Sequence, residues 1–442
     1  MIMDSLPLPK ELLTAARIFS KAGYQCWLVG GALRDGLSGR PTDDFDLATD
    51  AKPREVMRLF HRTIPTGVKH GTVTILLGKH QFETTTFRCD GSYSDGRRPD
   101  QVTYARDIRE DLARRDFTIN AMAWNLVNGG LFDPHDGKSD LNRRIIRAIG
   151  SPAARFNEDA LRKIRACRFA AQLGFTIDTD TLKAINPSGL ENLSVERIWD
   201  ELKKILTAPQ PSIAFRLFRQ TGLLRELIPP LDRCADEALN NRERENMYEH
   251  GLAVCDAVPS ADYTLRAAAL FHDIGKKSDS NEKISCEACS ADIAAQQLLH
   301  LKASKADTEK ITRLIIHHGI HGCSEWSDAD VRRFIIRAGK NILDDLLTLR
   351  KADISTYGAN CPLKTEHIDE LAKRIAEILR HGDPLTIKEL KINGRQIMEE
   401  LDMRPSSEIG MLQRYLLECV IENPPLNNYE NLLELAKKYR RK

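Results

Sequence analysis

Apolar and polar positions alternate with different periods in the two parts of the chain. Pro9 to Ala22 carries Leu12, Leu13, Ala16, Ile18 and Phe19 at helical spacing and predicts an amphipathic helix. "YQCWLVGG" predicts a strand running into a turn, and "FDLAT" a second strand. "KPREVMRLF" predicts a helix entered at Pro53. "HGTVTILL" and "HQFETTTFR" predict two more strands joined by a tight turn at Gly78 and Lys79. Residues 89–111 are polar and glycine-bearing and predict a loop. After Ser151-Pro152 the period is helical almost throughout, broken at "PSGLENLS", "APQPS", "VPSAD" and "SDSNEK". The expected class is therefore α+β: a head with a small sheet over residues 1–150, then an all-α remainder. That remainder divides into a neck at 151–235, a body at 236–380 and a tail at 381–442.

Composition narrows this only slightly. The 442 residues are 42% hydrophobic and 29% charged, an ordinary globular balance. Ten cysteines are scattered without disulfide-like density, which fits a reducing cytoplasm. No apolar run is long enough to span a membrane, so no membrane partner is expected. The start "MIMDSLPLPKELL" has no basic stretch leading into an apolar one, so no signal peptide is expected. A net charge of +2 neither supports nor excludes a nucleic-acid partner, because a basic face can hide in a balanced total.

The chemistry concentrates in a few stretches. In "WLVGGALRDGLSGRPTDDFDLATD", Asp44 and Asp46 are expected to alternate on a strand, with both side chains on one face. Two ionised carboxylates so placed repel unless a cation lies between them, and an oxygen-loving ion such as Mg²⁺ suits the place. Glu83, on another expected strand, offers a third carboxylate for two metals about 4 Å apart. Gly30 and Gly31 permit close backbone approach, and Arg34 follows near a helix start; amide donors and a guanidinium together suit a triphosphate. In "RRDFTINA", Arg114, Arg115, Asp116 and Asn120 are expected within about one helical turn. Arg115 could hold phosphate there, and Asp116 and Asn120 could bond ribose hydroxyls. In "NEDALRKIRACRF", Glu158, Asp159 and Arg162 would fall within about 100° of a helix circumference, with Arg165 about 60° further round. A carboxylate there could accept from cytosine N4 or adenine N6, whereas uracil and guanine would present a carbonyl oxygen to it. The bland readings are a solvated acidic pair, a surface charge cluster and a salt-bridged helix.

"LVGGALRDGLSGRPTDDFDLATDAKPREV", "EDLARRDFTINAMAWN" and "NEDALRKIRACRFAAQLGF" resemble the motifs of class II tRNA nucleotidyltransferases, the CCA-adding enzymes, and of bacterial poly(A) polymerases. The resemblance implies a nucleotidyltransferase head and a base-reading neck. It implies Mg²⁺ as cofactor, tRNA with CTP and ATP as partners, and addition of C, C and A with release of pyrophosphate. It implies that Asp159 and Arg162 read the base, with Arg165 and Arg168 supporting the nucleotide. "RCDGSYSDGRRPDQVTYARDIRED", with Asp95, Arg97 and Arg98, resembles the flexible loop of full CCA-adding enzymes. The rivals are a poly(A) polymerase or a partial enzyme adding only CC or only A. From other classes come a phosphohydrolase with an RNA-binding head and a non-catalytic RNA-binding protein.

A second metal site is suggested by His250, the His272-Asp273 pair and Asp353, which match the HD pattern of phosphohydrolases. Cys286-Glu287 stands where many such domains carry a histidine before an acidic residue, which weakens the case for hydrolysis; His317 and His318 remain. Cys286 and Cys289 lack a second pair for zinc and read as helix-packing residues, as do Cys167 and Cys419. Gly394 and Gly410 read as glycine turns beside helix ends in a stretch resembling the family's tRNA-binding tail. The basic end "KKYRRK" reads as a solvated tail or a phosphate contact. The sequence leaves the oligomeric state open.

Overall fold

The computed structural model describes residues 8–90, 102–237, 247–259, 262–276, 286–357 and 363–440. They form two compact units, Met1–Pro229 and Pro230–Lys442.

The first unit opens with helix α1 (Lys10–Lys21), whose buried stripe is Leu12, Ala15, Ala16 and Phe19. Strand β1 (Trp27–Val29) runs into α2 (Gly30–Leu37), and β2 (Asp46–Thr49) into α3 (Pro53–Leu59). Next come β3 (Thr63–Gly67), β4 (Thr72–Leu77) and β5 (His80–Thr86), then the short pair β6 (Arg88–Asp90) and β7 (Val102–Tyr104). Helix α4 (Ile108–Ala113) precedes β8 (Ala123–Asn125), β9 (Leu131–Phe132) and α5 (Gly137–Arg143). The sheet order is β3-β4-β5-β2-β1-β8-β9, antiparallel except where β2 runs parallel to β5. Val29, Ala48, Phe87, Leu112, Ala123 and Ile149 pack into one core beside it.

The neck of this unit is α6 (Pro152–Glu158), α7 (Leu161–Leu173), α8 (Thr179–Ala184), α9 (Val195–Leu206), α10 (Pro211–Gln220) and α11 (Leu223–Leu227). Ser151 caps α6 with Pro152 at its first turn, and Gly174 ends α7 in the left-handed region at φ 69°, which glycine adopts without strain. Helix α7 is pinned to the head by hydrogen bonds from Arg40 to the Leu173 carbonyl at 2.9 Å and from Arg162 to the Arg114 carbonyl at 3.0 Å.

The second unit is helical: α12 (Pro229–Glu237), α13 (Met247–Ala257), α14 (Tyr263–Phe271), α15 (Cys286–His300), α16 (Lys305–His317), α17 (Asp328–Ala338), α18 (Leu343–Thr356) and α19 (Thr365–His381), then α20 (Gly394–Leu401), α21 (Ser407–Glu422) and α22 (Tyr429–Arg440). The last three share a core of Ile397, Leu412, Leu416, Val420 and Leu432. Among the described residues no helix is long and apolar enough to cross a membrane.

The structure corrects several expectations. Asp44 and Asp46 do not alternate on one strand: β2 begins at Asp46, and Asp44 lies exposed in the preceding loop. The partner strand explains this, since β1 pairs Val29 with Asp46 and then turns away at Gly30. Arg114 to Asn120 is not a helical turn, for α4 stops at Ala113, Phe117 is extended and residues 118–120 form a 3₁₀ turn. Glu158, Asp159 and Arg162 do not share one helix. Asp159 is extended at φ −150°, and its Oδ1 accepts from the Leu161 amide at 3.1 Å, the local side-chain bond by which Asp starts a new helix. The stretch 89–111 is not all loop, since β6, β7 and α4 fall partly within it. Gly410 lies inside α21 rather than at a turn, whereas Gly394 does open α20, behind Asn393 as its cap. Cys167 is buried but Cys419 only partly so. Asp95, Arg97, Arg98 and the final Arg441 and Lys442 lie outside the described residues.

Candidate functional site

A cavity of about 840 Å³ in the first unit gathers Gly30, Gly31, Arg34, Asp44, Asp46, Glu83, Arg115, Asp116, Asn120, Asp159, Arg162, Arg165 and Arg168. Of the residues expected for this site, only Glu158 does not line it; it lies behind, accepting from Arg155 at 2.9 Å and from Arg162 at 2.5 Å.

The carboxylate end is set by sheet register. Strands β2 and β5 place Asp46 directly beside Glu83, and Asp44 reaches the same cavity from its loop. Burial first, then the nearby Asp44 and Glu83, push Asp46 up to about 6 against the pull of Arg115. The glycine that matters most here is Gly30. Its φ is 73°, and a Cβ would stand 3.0 Å from Asp46 Oδ2. Gly31 has ordinary space around it.

The opposite wall is a chain of buried ion pairs. Burial alone would raise Asp116, but the Arg165 guanidinium (2.8 and 2.6 Å), the Asn120 amide (3.0 Å) and the Phe117 N–H (2.8 Å) hold it well below the usual carboxylate range. Asp116 is thus spent inside the protein, where the sequence suggested a ribose contact. Asn120 Oδ1 in turn accepts from Arg34 at 2.8 Å, and Arg34 also grips Asp35. Arg115 reaches Asp111 at 3.2 Å and the Asn120 carbonyl at 3.3 Å, while its buried Nε makes no hydrogen bond. Burial draws Arg168 down to about 10 despite Glu201 at 2.7 Å.

Sequence reading missed Phe169 and three residues of α9. The guanidinium carbons of Arg168, Arg34 and Arg165 lie 4.1, 5.2 and 5.4 Å from the Phe169 ring centre, so three like charges gather around one aromatic ring. Arg197, Glu201 and Lys204 recur at helical spacing on α9. Glu201 is 3% exposed amid Ile198, Leu202 and Ile205, and a lone acid on an apolar face was the legible signal.

The second unit holds a different cluster. His250 Nε2 lies 3.2 Å from His272 Nε2 and 3.1 Å from Asp353 Oδ1, and Asp273 Oδ2 is 3.5 Å from His272. His250, His272 and Asp273 form a trio whose ligand atoms all lie within 4.8 Å of one another, and Asp353 Oδ1 lies 3.1 and 3.6 Å from the same two histidine nitrogens. His272 Nδ1 and His318 Nδ1 each meet a backbone carbonyl at 2.7 Å, which directs both Nε2 atoms inward, and His318 reaches Asp273 at 3.6 Å. Burial alone would raise Asp353 and Asp273. His250, His272 and Arg350 hold the first well below its ordinary range, and His318, His272 and Lys276 the second. A cavity of about 620 Å³ adjoins the cluster, lined by Asp273, Cys286, Glu287, His318, His321, Arg350 and Asp353 among others. His317 is not part of it, and His321, unremarked in the sequence, is. Cys286 lines this cavity rather than packing between helices, whereas Cys289 sits close against Gly275.

Residues 26–147 match the poly A polymerase head domain family, and residues 174–234 the family described as a probable RNA and SrmB-binding site of polymerase A. The CCA-adding enzyme of Lactobacillus johnsonii is 47% identical over 233 residues, 51% of this chain and 58% of that protein, so the aligned stretch spans little more than half of that relative. The CCA-adding enzyme of Ligilactobacillus salivarius is 32% identical over 455 residues, covering 99% of this chain and 98% of that one. Among solved structures, the Bacillus stearothermophilus CCA-adding enzyme in complex with CTP superposes with a TM-score of 0.77 at 28% identity, over 98% of this chain and 97% of that one. With paired carboxylates, arginine wall and end-to-end similarity in agreement, the chain belongs to the CCA-adding enzyme family.

Proposed function

We propose that this protein adds C, C and A to the 3′ end of tRNA from CTP and ATP, releasing pyrophosphate, with Mg²⁺ as its cofactor. The observation that carries the proposal is one cavity with acidic and basic ends. Asp44, Asp46 and Glu83 stand at the first, and Arg115, Asp159, Arg162, Arg165 and Arg168 line the rest.

A divalent cation fits the acidic end, because Asp46 is held at about 6 by burial and by its acidic neighbours, and a cation among them relieves that repulsion. Asp44 and Asp46 would hold it, with Glu83 beside them, and when bound it lowers the pKa of the attacking hydroxyl and stabilises charge on the leaving group. The remaining work belongs to the chain. The N–H groups opening α2, with Gly30 admitting a close neighbour, and the guanidinium of Arg115 suit the triphosphate. The tRNA 3′-oxygen attacks the α-phosphorus as the bond to pyrophosphate breaks. Asp159 accepts from cytosine N4 or adenine N6, while uracil and guanine would bring a second acceptor to the same place. Asp116 and Asn120 act from behind, fixing Arg165 and Arg34 in position.

The test is incubation with tRNA lacking its 3′ CCA and each labelled nucleotide. Incorporation of both C and A that stops after three residues supports the proposal; long A tails or CC alone reject it. A second reading concerns the other unit. His250, His272, Asp273 and Asp353 form a mixed imidazole and carboxylate set suited to a first-row divalent metal. Metal analysis of the purified protein checks it: bound metal that disappears in the His250→Ala variant supports the site, and an unchanged content rejects it.

A further inference from the structure

The pair between Arg197 and Asp159 has no part in the scheme above. Arg197 Nη2 donates to Asp159 Oδ2 at 2.8 Å across 38 residues, and the two side chains are 23% and 17% exposed. Arg162, the guanidinium that the family motif sets beside Asp159, is engaged elsewhere. Its Nη1 donates to the Arg155 carbonyl and to Glu158, and its Nη2 to the Arg114 carbonyl. The guanidinium that touches the base-reading carboxylate comes instead from α9.

We propose that Arg197 is a positioning residue for nucleotide selection: it fixes the orientation of Asp159, and through that carboxylate the choice of amino-bearing over keto-bearing bases. The proposal rests on the reading of Asp159 as the base acceptor.

Each Asp159 oxygen already takes one donor. Oδ1 accepts from the Leu161 amide and Oδ2 from Arg197. A carboxylate oxygen accepts from two directions, so the plane of the group is pinned and one acceptor direction remains on each oxygen for a base. Hydrogen bonds weaken steeply with misalignment, so a carboxylate free to rotate would discriminate an amino group from a carbonyl poorly. The buried Nη1 of Arg197 makes no hydrogen bond, so the guanidinium meets Asp159 through Nη2 alone. One turn on, Glu201 serves a different purpose. It pairs with Arg168 at 2.7 Å and lies 3.8 Å from Arg165. Helix α9 thereby touches the Asp159 carboxylate at one residue and the cavity arginines Arg165 and Arg168 at the next.

The experiment compares kcat/KM for CTP and UTP on tRNA lacking its 3′ CCA, in the full-length protein and in Arg197→Gln, Arg197→Lys, Glu201→Gln and Asp159→Asn. Arg197→Gln should lower the CTP-to-UTP ratio by roughly tenfold, the effect of one degraded hydrogen bond to a charged group. Arg197→Lys should fall between it and the parent. Glu201→Gln should reduce both nucleotides alike and leave the ratio within about twofold. If Asp159→Asn collapses the ratio but Arg197→Gln leaves it at the parental value, Arg197 is only structural and the proposal is overturned. Equal loss of the ratio in Glu201→Gln also overturns it, as general distortion of the neck. An unchanged ratio in Asp159→Asn instead overturns the reading of Asp159 itself. Where Arg197→Gln does not fold, Arg197→Lys decides: a several-fold drop supports the proposal, and a parental ratio rejects it.

Discussion

The two acidic centres of this protein have opposite electrostatic characters. In the head, Asp46 is pushed up to about 6 by burial first and then by the acids Asp44 and Glu83, with Arg115 pulling the other way. In the helical body, Asp353 and Asp273 are held down, because histidines, Arg350 and Lys276 surround them. The first centre is under-compensated and open at its exposed Asp44 and Glu83; the second is buried, and its carboxylates already have Arg350 and Lys276 as cationic partners. An under-compensated carboxylate group gains most from an arriving cation and its anionic nucleotide. A compensated cluster holds its helices together whether or not a metal binds.

The largest expected difference between the centres is in activity. Asp46→Asn should lower nucleotide incorporation on tRNA by about a thousandfold or more, the scale of losing preorganised electrostatic stabilisation of a transition state. His272→Ala should leave incorporation within about twofold of the parent. A labelled-nucleotide assay of both variants checks this. Comparable losses in the two would break the contrast and tie the body cluster to phosphoryl transfer.

Stability should move in opposite directions. In buffer freed of divalent cations, Asp353→Asn strands Arg350 and should cost about 3 kcal/mol, the usual penalty for breaking a buried pair. Asp46→Asn removes an acid held unfavourably and should stabilise by roughly 1 kcal/mol after allowance for solvent screening. Thermal melts of the two variants beside the parent give the signs directly. A fall in Tm for Asp46→Asn would mean that Arg115 outweighs the acidic neighbours.

Much of this contrast was legible in the chain. Period-2 runs gave the hairpin β4–β5, and the change to helical spacing after Pro152 separated sheet from helices. The residues of the head cavity were legible by type, because Gly-Gly, Arg and Asp-x-Asp occur close together. Their local geometry was not. Asp159 leaves the helix because its own carboxylate bonds the Leu161 amide, a competition between side chain and backbone that periodicity does not register. Asp116 is consumed by Arg165, 49 residues away, and Phe169 collects three arginines from two elements. Contacts of that range depend on how α7 lies against the head, which no local window contains.

The smallest expected effect, and the sharpest on the electrostatics, is in pH. Asp46 has a raised folded-state pKa, so its contribution to the stability of the cation-free protein is fully present below pH 4. That contribution is lost as pH rises through about 6. A bound cation reverses the sense, since it requires the ionised form. The rise in Tm on adding millimolar Mg²⁺ should therefore be small at pH 5 and grow to a plateau above pH 7. The body carboxylates stay ionised over this whole window, so they give the profile no step. Melts at pH 5 and pH 7.5, with and without Mg²⁺, measure the difference. In Asp46→Asn the pH-dependent part should vanish. If it persists there unchanged, the step belongs to another group, and the head would not be the centre that awaits its cation.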